Sequence, residues 1–154
     1  SDPDALSDLI EAGKDDEVAI RGLVAWVLGR TGNIAAMDGL KPMLHDSDLD
    51  VRLNAASSLA RLGSLASLET LQEMTDLSQL RDKLQLRGLT DQQVQPQLEI
   101  IPISAVQSLV LLLDKSPSAD IEHLRPNIES LAKKGTPIVQ TRAKELLIKM
   151  GKAK

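Results

Sequence analysis

The feature that most constrains this chain is that it repeats itself. A shift of 31 residues lays positions 20–32 over 51–63, and Arg21/Arg52, Ala25/Ala56, Leu28/Leu59, Arg30/Arg61 and Gly32/Gly63 become identical. Ile34/Leu65, Leu40/Leu71 and Met43/Met74 continue the match at the same shift. Residues 139–151 form a third copy, 88 positions after the second. A weaker fourth aligns Ile101, Ala105, Leu109 and Leu112 with Val51, Ala55, Leu59 and Leu62. Each copy has the period of a helix: Val51, Ala55, Leu59 and Leu62 fall on one apolar stripe. Gly32, Gly63 and Gly151 read as C-terminal stops, and Asp48 and Asp50 suit the positive end of the helix dipole.

A second helix precedes each of these, at about 4–12, 33–44, 65–75 and 119–134. Asn33, Ser64 and Ser118 are the expected N-caps of three, and Thr136-Pro137 reads as a cap followed by proline at the first helical position. No stretch alternates with period two. The unit is a helical hairpin of about 31 residues, which cannot bury both of its faces alone; stacking supplies the core. The expected fold is therefore all-α, an α-solenoid of four hairpins at about 4–32, 33–63, 64–116 and 117–151, forming a single domain over 1–154. A chain of 154 residues buries about 68–70% of its unfolded surface without needing staples.

The segment 48–63 carries a family resemblance. Asp48-Leu49-Asp50-Val51-Arg52, then Ala55-Ala56, Leu59, Leu62 and Gly63, resemble a HEAT repeat, of the short type also found in phycocyanobilin-lyase-like proteins. A proline in the first helix, as in Leu40-Lys41-Pro42-Met43-Leu44 and Leu124-Arg125-Pro126-Asn127-Ile128, is similar to the kink of HEAT first helices. The resemblance covers most of 4–151. It implies a right-handed superhelix whose second helices line a concave surface. It also implies that Arg21 and Arg52, following Ile20 and Val51 on the inner side, bridge to the acidic turn of a neighbouring repeat. Asp46, Asp48 or Asp50 is the expected acceptor for Arg21. The ladder is expected to lapse where Pro102 and Gln140 replace arginine.

Residues 76–99 fall outside the pattern, because Ala55 and Ala105 are 50 positions apart rather than 31. Leu77, Leu80 and Leu84 keep helical spacing, so 77–87 reads as a helix extending or following the first. Positions 88–96 read as a glutamine-rich loop. Insertions in repeat arrays often lie on a binding face.

Chemistry-bearing motifs are few. The chain has no cysteine, which excludes disulfides, thiolate metal sites and cysteine nucleophiles. His45 and His123 stand 78 residues apart and read as solvated or satisfied side chains. Asp46, Asp48 and Asp50 imitate a calcium loop, but Val51 and Ser57 stand where that loop needs glycine and glutamate. No phosphate loop, nucleophile elbow or zinc-protease motif is present. No catalytic residue, cofactor or metal is expected.

The 18 Lys and Arg against 22 Asp and Glu give a net charge of -4, a poor balance for nucleic acid or an anionic membrane. Uninterrupted apolar runs such as 109–113 fall far below the roughly 18–20 residues of a membrane span. A soluble chain is expected, cytoplasmic rather than periplasmic. The polar start and lysine-rich end read as the bounds of a complete unit.

Trp26, the one aromatic residue, occupies a position filled in the other copies by Ser57, Gln107 and Glu145. About 200° separates that position from the buried stripe. Gly22 and Gly29 flank it, leaving room for the indole to lie flat on backbone. Leu23, Arg30, Asn54, Ser58, Arg61, Ser104, Ser108, Arg142 and Lys149 complete the expected exposed lane. The expected function is a non-catalytic interaction or scaffold module that binds a protein or peptide partner on this face. Its contacts would come from Trp26, Arg30, Asn54 and Arg61, and from Arg81 and Arg87 in the insertion. The resemblance implies a second class, help in attaching a tetrapyrrole; a third is a structural piece of a longer solenoid.

Overall fold

A computed structural model describes residues 3–152. The polar start and lysine-rich end, where they fall on residues 1–2 and 153–154, lie outside the described residues. Nine α-helices are present among those described, and no strand: α1 (Pro3–Ala12), α2 (Val18–Arg30), α3 (Met37–Met43), α4 (Leu49–Arg61), α5 (Leu68–Thr75), α6 (Leu77–Leu86), α7 (Asp91–Lys115), α8 (Arg125–Lys134) and α9 (Pro137–Lys152). Short 3-10 turns at Ile34–Ala36, Leu65–Ser67 and Glu122–Leu124 lead into α3, α5 and α8. The all-α helical-repeat solenoid read from the sequence is the observed fold class. The chain divides into two compact units between Thr70 and Leu71.

In the first unit α2 packs on α4, α3 packs on both, and α1 packs on α2. The repeated stripe makes the core: Val24, Ala25 and Leu28 meet Leu40, Val51, Ala55 and Leu59, all buried. Ile20, expected inside, is exposed at the start of α2. Asp48 caps α4, its carboxylate accepting from the Asp50 and Val51 amides at 2.8 and 3.4 Å. Asn33 and Ser64 cap as expected, accepting from Ala35 and Ala66. Gly32 and Gly63 end α2 and α4 with φ of 67° and 88°. Only glycine enters this left-handed region without strain, and at Gly63 the turn closes with the Ser64 amide donating to Leu59 O at 2.9 Å.

One rung of the expected arginine ladder is present in this unit, from Arg21 to the acidic turn of the next repeat; Arg52 reaches only its own preceding turn. Arg21 donates from Nε and Nη2 to the two carboxylate oxygens of Asp46 at 2.7 and 3.0 Å. Its Nη1 donates to the carbonyls of Asp15 and Asp16. Arg52 repeats the carbonyl half of this pattern on Asp46 and Ser47. The Arg21 hydrogen bond holds the Asp46 carboxyl below its ordinary value against the opposing effect of burial, and the Asp48 amide adds to it. The acidic turn is thus an anchor for arginine and for a helix start.

In the second unit α9 packs on α7 and α8, and α6 packs on α7. Ala105, Leu109 and Leu112 on α7 are buried, as are Ile128 and Leu131 on α8 and Val139, Ala143 and Leu146 on α9. Ile101 also belongs to this core. Gln140 stands in the arginine position of α9 and donates to the Gly135 carbonyl at 2.9 Å, keeping that contact without charge.

Several local readings are corrected. Residues 91–96 are not a loop: α7 starts at Asp91 and runs through Pro96 and Pro102. The buried positions Val94, Ile101, Ala105, Leu109 and Leu112 lie on one stripe, and its burial outweighs the about 3 kcal/mol cost of a proline in a helix interior. The insertion contributes α6 and the first turns of α7, joined through Gly88 at φ 81°. Ser118 does not cap; the N-cap position is Ile121, and the Asp120 carboxylate just before it accepts from the Glu122 amide at 3.0 Å. Gly151 stops nothing, because α9 continues to Lys152. The two prolines do not share a setting: Pro42 lies inside α3, whereas Pro126 sits in the first turn of α8. By length and composition α7 is the one described helix that qualifies to cross a membrane, yet half of its most apolar stretch is buried in the protein. No long uninterrupted apolar run marks this helix, because its polar residues interrupt the apolar stripe at helical spacing.

Candidate functional site

Helix α2 has two dissimilar faces, and Gly29 explains how the inner one packs. Its inner face approaches α4 closely. A Cβ at Gly29 would sit 2.2 Å from Ser58 Oγ and 2.7 Å from Ser58 Cα. The Ser58 hydroxyl donates to Ala25 O at 2.8 Å, and Asn54 Nδ2 donates to Gly22 O at 3.3 Å. Gly29 therefore admits α4, and Gly22 faces α4 at an ordinary contact distance; neither makes room for the indole. Ser58 is 5% exposed and Ser108 4%, so both leave the lane in which they were expected. Ser104 and Lys149 are partly buried, with Lys149 pairing with Asp114 at 2.5 Å.

The outer face of α2 carries Leu23, Trp26 and Arg30 at the i, i+3, i+7 spacing of one helix side. Leu23 is 60% exposed and Trp26 50%. The Arg30 guanidinium lies over the indole, 4.9 Å from its centroid. Such a stack contributes roughly 0.5–1 kcal/mol at an exposed site and orients both groups toward solvent. Arg61, the last residue of α4, is also exposed.

The named residues thus fall in two places. Trp26 and Arg30 touch each other in the first unit. Asn54 is spent on the α2 backbone. Arg81 and Arg87 belong to α6 and its C-terminal turn in the second unit, where Arg81 lines a cavity of about 550 Å³. A further open groove of about 360 Å³ runs between α7 and α9, lined by Val106, Val110 and Leu111 with Gln107, Arg142 and Glu145. Gln107 and Glu145 hold the positions equivalent to Trp26, and were read only as polar. The groove they border forms where α9 packs on α7. Arg142 and Glu145 pair at 2.9 Å on its rim.

Among the described residues, no group of three His, Cys, Asp or Glu side chains is placed to hold a metal. Asp46 and Asp48 hold Arg21 and the α4 amides instead, and His45 and His123 are exposed.

No curated protein matches the sequence. A family model described as HEAT repeats matches residues 3–85, which span α1 to nearly the end of α6. This agrees with the paired helices, glycine-ended second helices and arginine–aspartate anchor of the first unit. The phycocyanobilin-lyase-like subtype rests on sequence resemblance alone. HEAT repeats as a class mediate protein–protein interaction and scaffolding and are typically non-catalytic, and by its match over more than half its length this chain belongs to the HEAT-repeat family.

Proposed function

We propose that the chain is a non-catalytic interaction module whose partner contact in the first unit is the outer face of α2. Trp26 is the anchor, with Leu23 beside it, Arg30 stacked on it and Arg61 at the end of α4. Asn54 has a positioning role, fixing α2 against α4. On the family resemblance this is the concave side. The observation that carries the reading is the half-exposed indole of the chain's single aromatic residue, held in place by Arg30. Tryptophan and arginine are the residue types most enriched where a few side chains carry most of a protein interface's energy. In this reading Arg81 and Arg87 extend the contact within the second unit. No residue is assigned to catalysis.

Two measurements test it. Trp26 emission in the free protein should be red-shifted and readily quenched by iodide. In capture of a partner from native extract, Trp26→Ala should remove a band that the wild type retains, losing about 2 kcal/mol or more of binding with far-UV circular dichroism unchanged. A blue-shifted, protected emission, or capture indifferent to Trp26→Ala, would end the proposal.

A further inference from the structure

We propose that the second unit holds a binding site for an oxyanion, a carboxylate or phosphate carried on a small organic ligand. The site is the cavity of about 550 Å³ bounded by α6, α7, α8 and the start of α9. Its volume lies in the range of small-molecule sites, roughly 300–1,000 Å³.

Charge is the first argument. Arg81 and Lys134 both line the cavity, and Asp76 is its one lining carboxylate. Asp76 is already committed, accepting from the Ser78 and Gln79 amides at 3.0 and 3.1 Å to cap α6. Among the described residues neither Arg81 nor Lys134 has a carboxylate within ion-pair distance, whereas Lys83, Arg142 and Lys149 of the same unit all do. Two cations without a carboxylate partner thus line one cavity in a chain of net charge -4.

Thr136 is the second and independent argument. Its hydroxyl is shielded from water and has no hydrogen-bond partner. Buried polar groups are ordinarily satisfied, and each exception requires an explanation. Thr136 lines the same cavity as the two cations, and rotation about its Cα–Cβ bond would turn the shielded hydroxyl to donate to an oxyanion held by Arg81 and Lys134. Leu77 and Leu98, also on the wall, suit the carbon body of such a ligand.

The test is an NMR titration of the full chain with sodium succinate and, separately, inorganic phosphate, at fixed ionic strength with sodium chloride as control. Backbone amides of Ser78, Gly135 and Thr136 should shift and saturate with at least one of the two. Tighter saturation by succinate identifies a carboxylate ligand, and by phosphate a phosphate ester. Arg81→Gln should weaken the response at least about ten-fold, equivalent to ~1.4 kcal/mol, with helicity retained. Thr136→Val should weaken it while leaving every charge in place. Shifts that fail to saturate with either anion, or saturation unchanged in Arg81→Gln, would overturn the proposal. The anchor of the interaction reading, Trp26, lies in the other unit, so failure here leaves that anchor untouched; success assigns Arg81 to the anion rather than to the partner contact.

Discussion

Replacing Gly29 by alanine should destabilise the first unit, although the same change in an isolated helix would stabilise it. Alanine in a helix interior is better than glycine by about 1 kcal/mol. Against that, the new Cβ would lie 2.2 Å from Ser58 Oγ, 2.3 Å from its Cβ and 2.7 Å from its Cα. A side-chain rotation relieves the first contact but not the other two, so α2 and α4 must separate. Overpacking of this kind costs about 1–3 kcal/mol. Separation also breaks the hydrogen bond from Ser58 to Ala25 O, worth roughly 0.5–1.5 kcal/mol. The net loss should be about 2 kcal/mol. Gly22→Ala is the internal control on the same helix: its Cβ would meet Asn54 Nδ2 at 3.6 Å, an ordinary contact, so it should be neutral or gain about 0.5–1 kcal/mol. Urea unfolding is followed through the fluorescence of Trp26, which sits in the first unit. With a slope of about 1–3 kcal/mol per molar, the two variants should differ in midpoint by about 1 M or more. A Gly29→Ala midpoint at or above wild type would refute the close approach of the two helices.

Asp46 makes stability depend on acid. Its carboxyl is held below the ordinary value of 3.8 by Arg21, so its contribution is present above that value and fades as pH falls through the lower, folded one. Urea midpoints should fall from about pH 5 downward, and Asp46→Asn should be weaker near neutrality with a shallower acid slope; parallel slopes would show that the pair carries no linkage. Thr136→Val should raise thermal stability by about 1 kcal/mol, because it removes a buried hydroxyl that has no partner; a fall in the melting temperature would mean the hydroxyl is satisfied. Asp48→Ala should cost about 1 kcal/mol through loss of the α4 cap, and an unchanged melting curve would deny the cap any role.

The sequence was most legible where a residue's neighbours lie within its own helix or one repeat away. The stripe of α4, the Asp48 cap, the Asn33 and Ser64 caps and the glycine ends at 32 and 63 all depend on local spacing. Arg21 could be matched to the next acidic turn, because the repeat itself supplies the distance between them. Reading failed where two local signals conflicted. Pro96 signals a break while Val94, Ile101 and Ala105 continue a helical stripe, and burial against the rest of the second unit decides for the helix. Gly151 signals a stop, but α9 continues past it.

The periodic sequence alone determined that the chain is a series of helices paired into HEAT-type units, because a 3.6-residue stripe with fixed end signals has one compact solution, stacking against its own copy. It also put Trp26 on an outer face, since the angle around a helix follows from residue count. Only the tertiary structure decided what the small residues were for. Gly22, Gly29 and Ser58 could equally have bordered an exposed indole or a neighbouring helix, and the choice depends on how near α4 comes, a distance no spacing along one helix contains. The same holds for Arg81, Lys134 and Thr136. They are far apart in the chain, and their meeting around one cavity is a property of the packed helices.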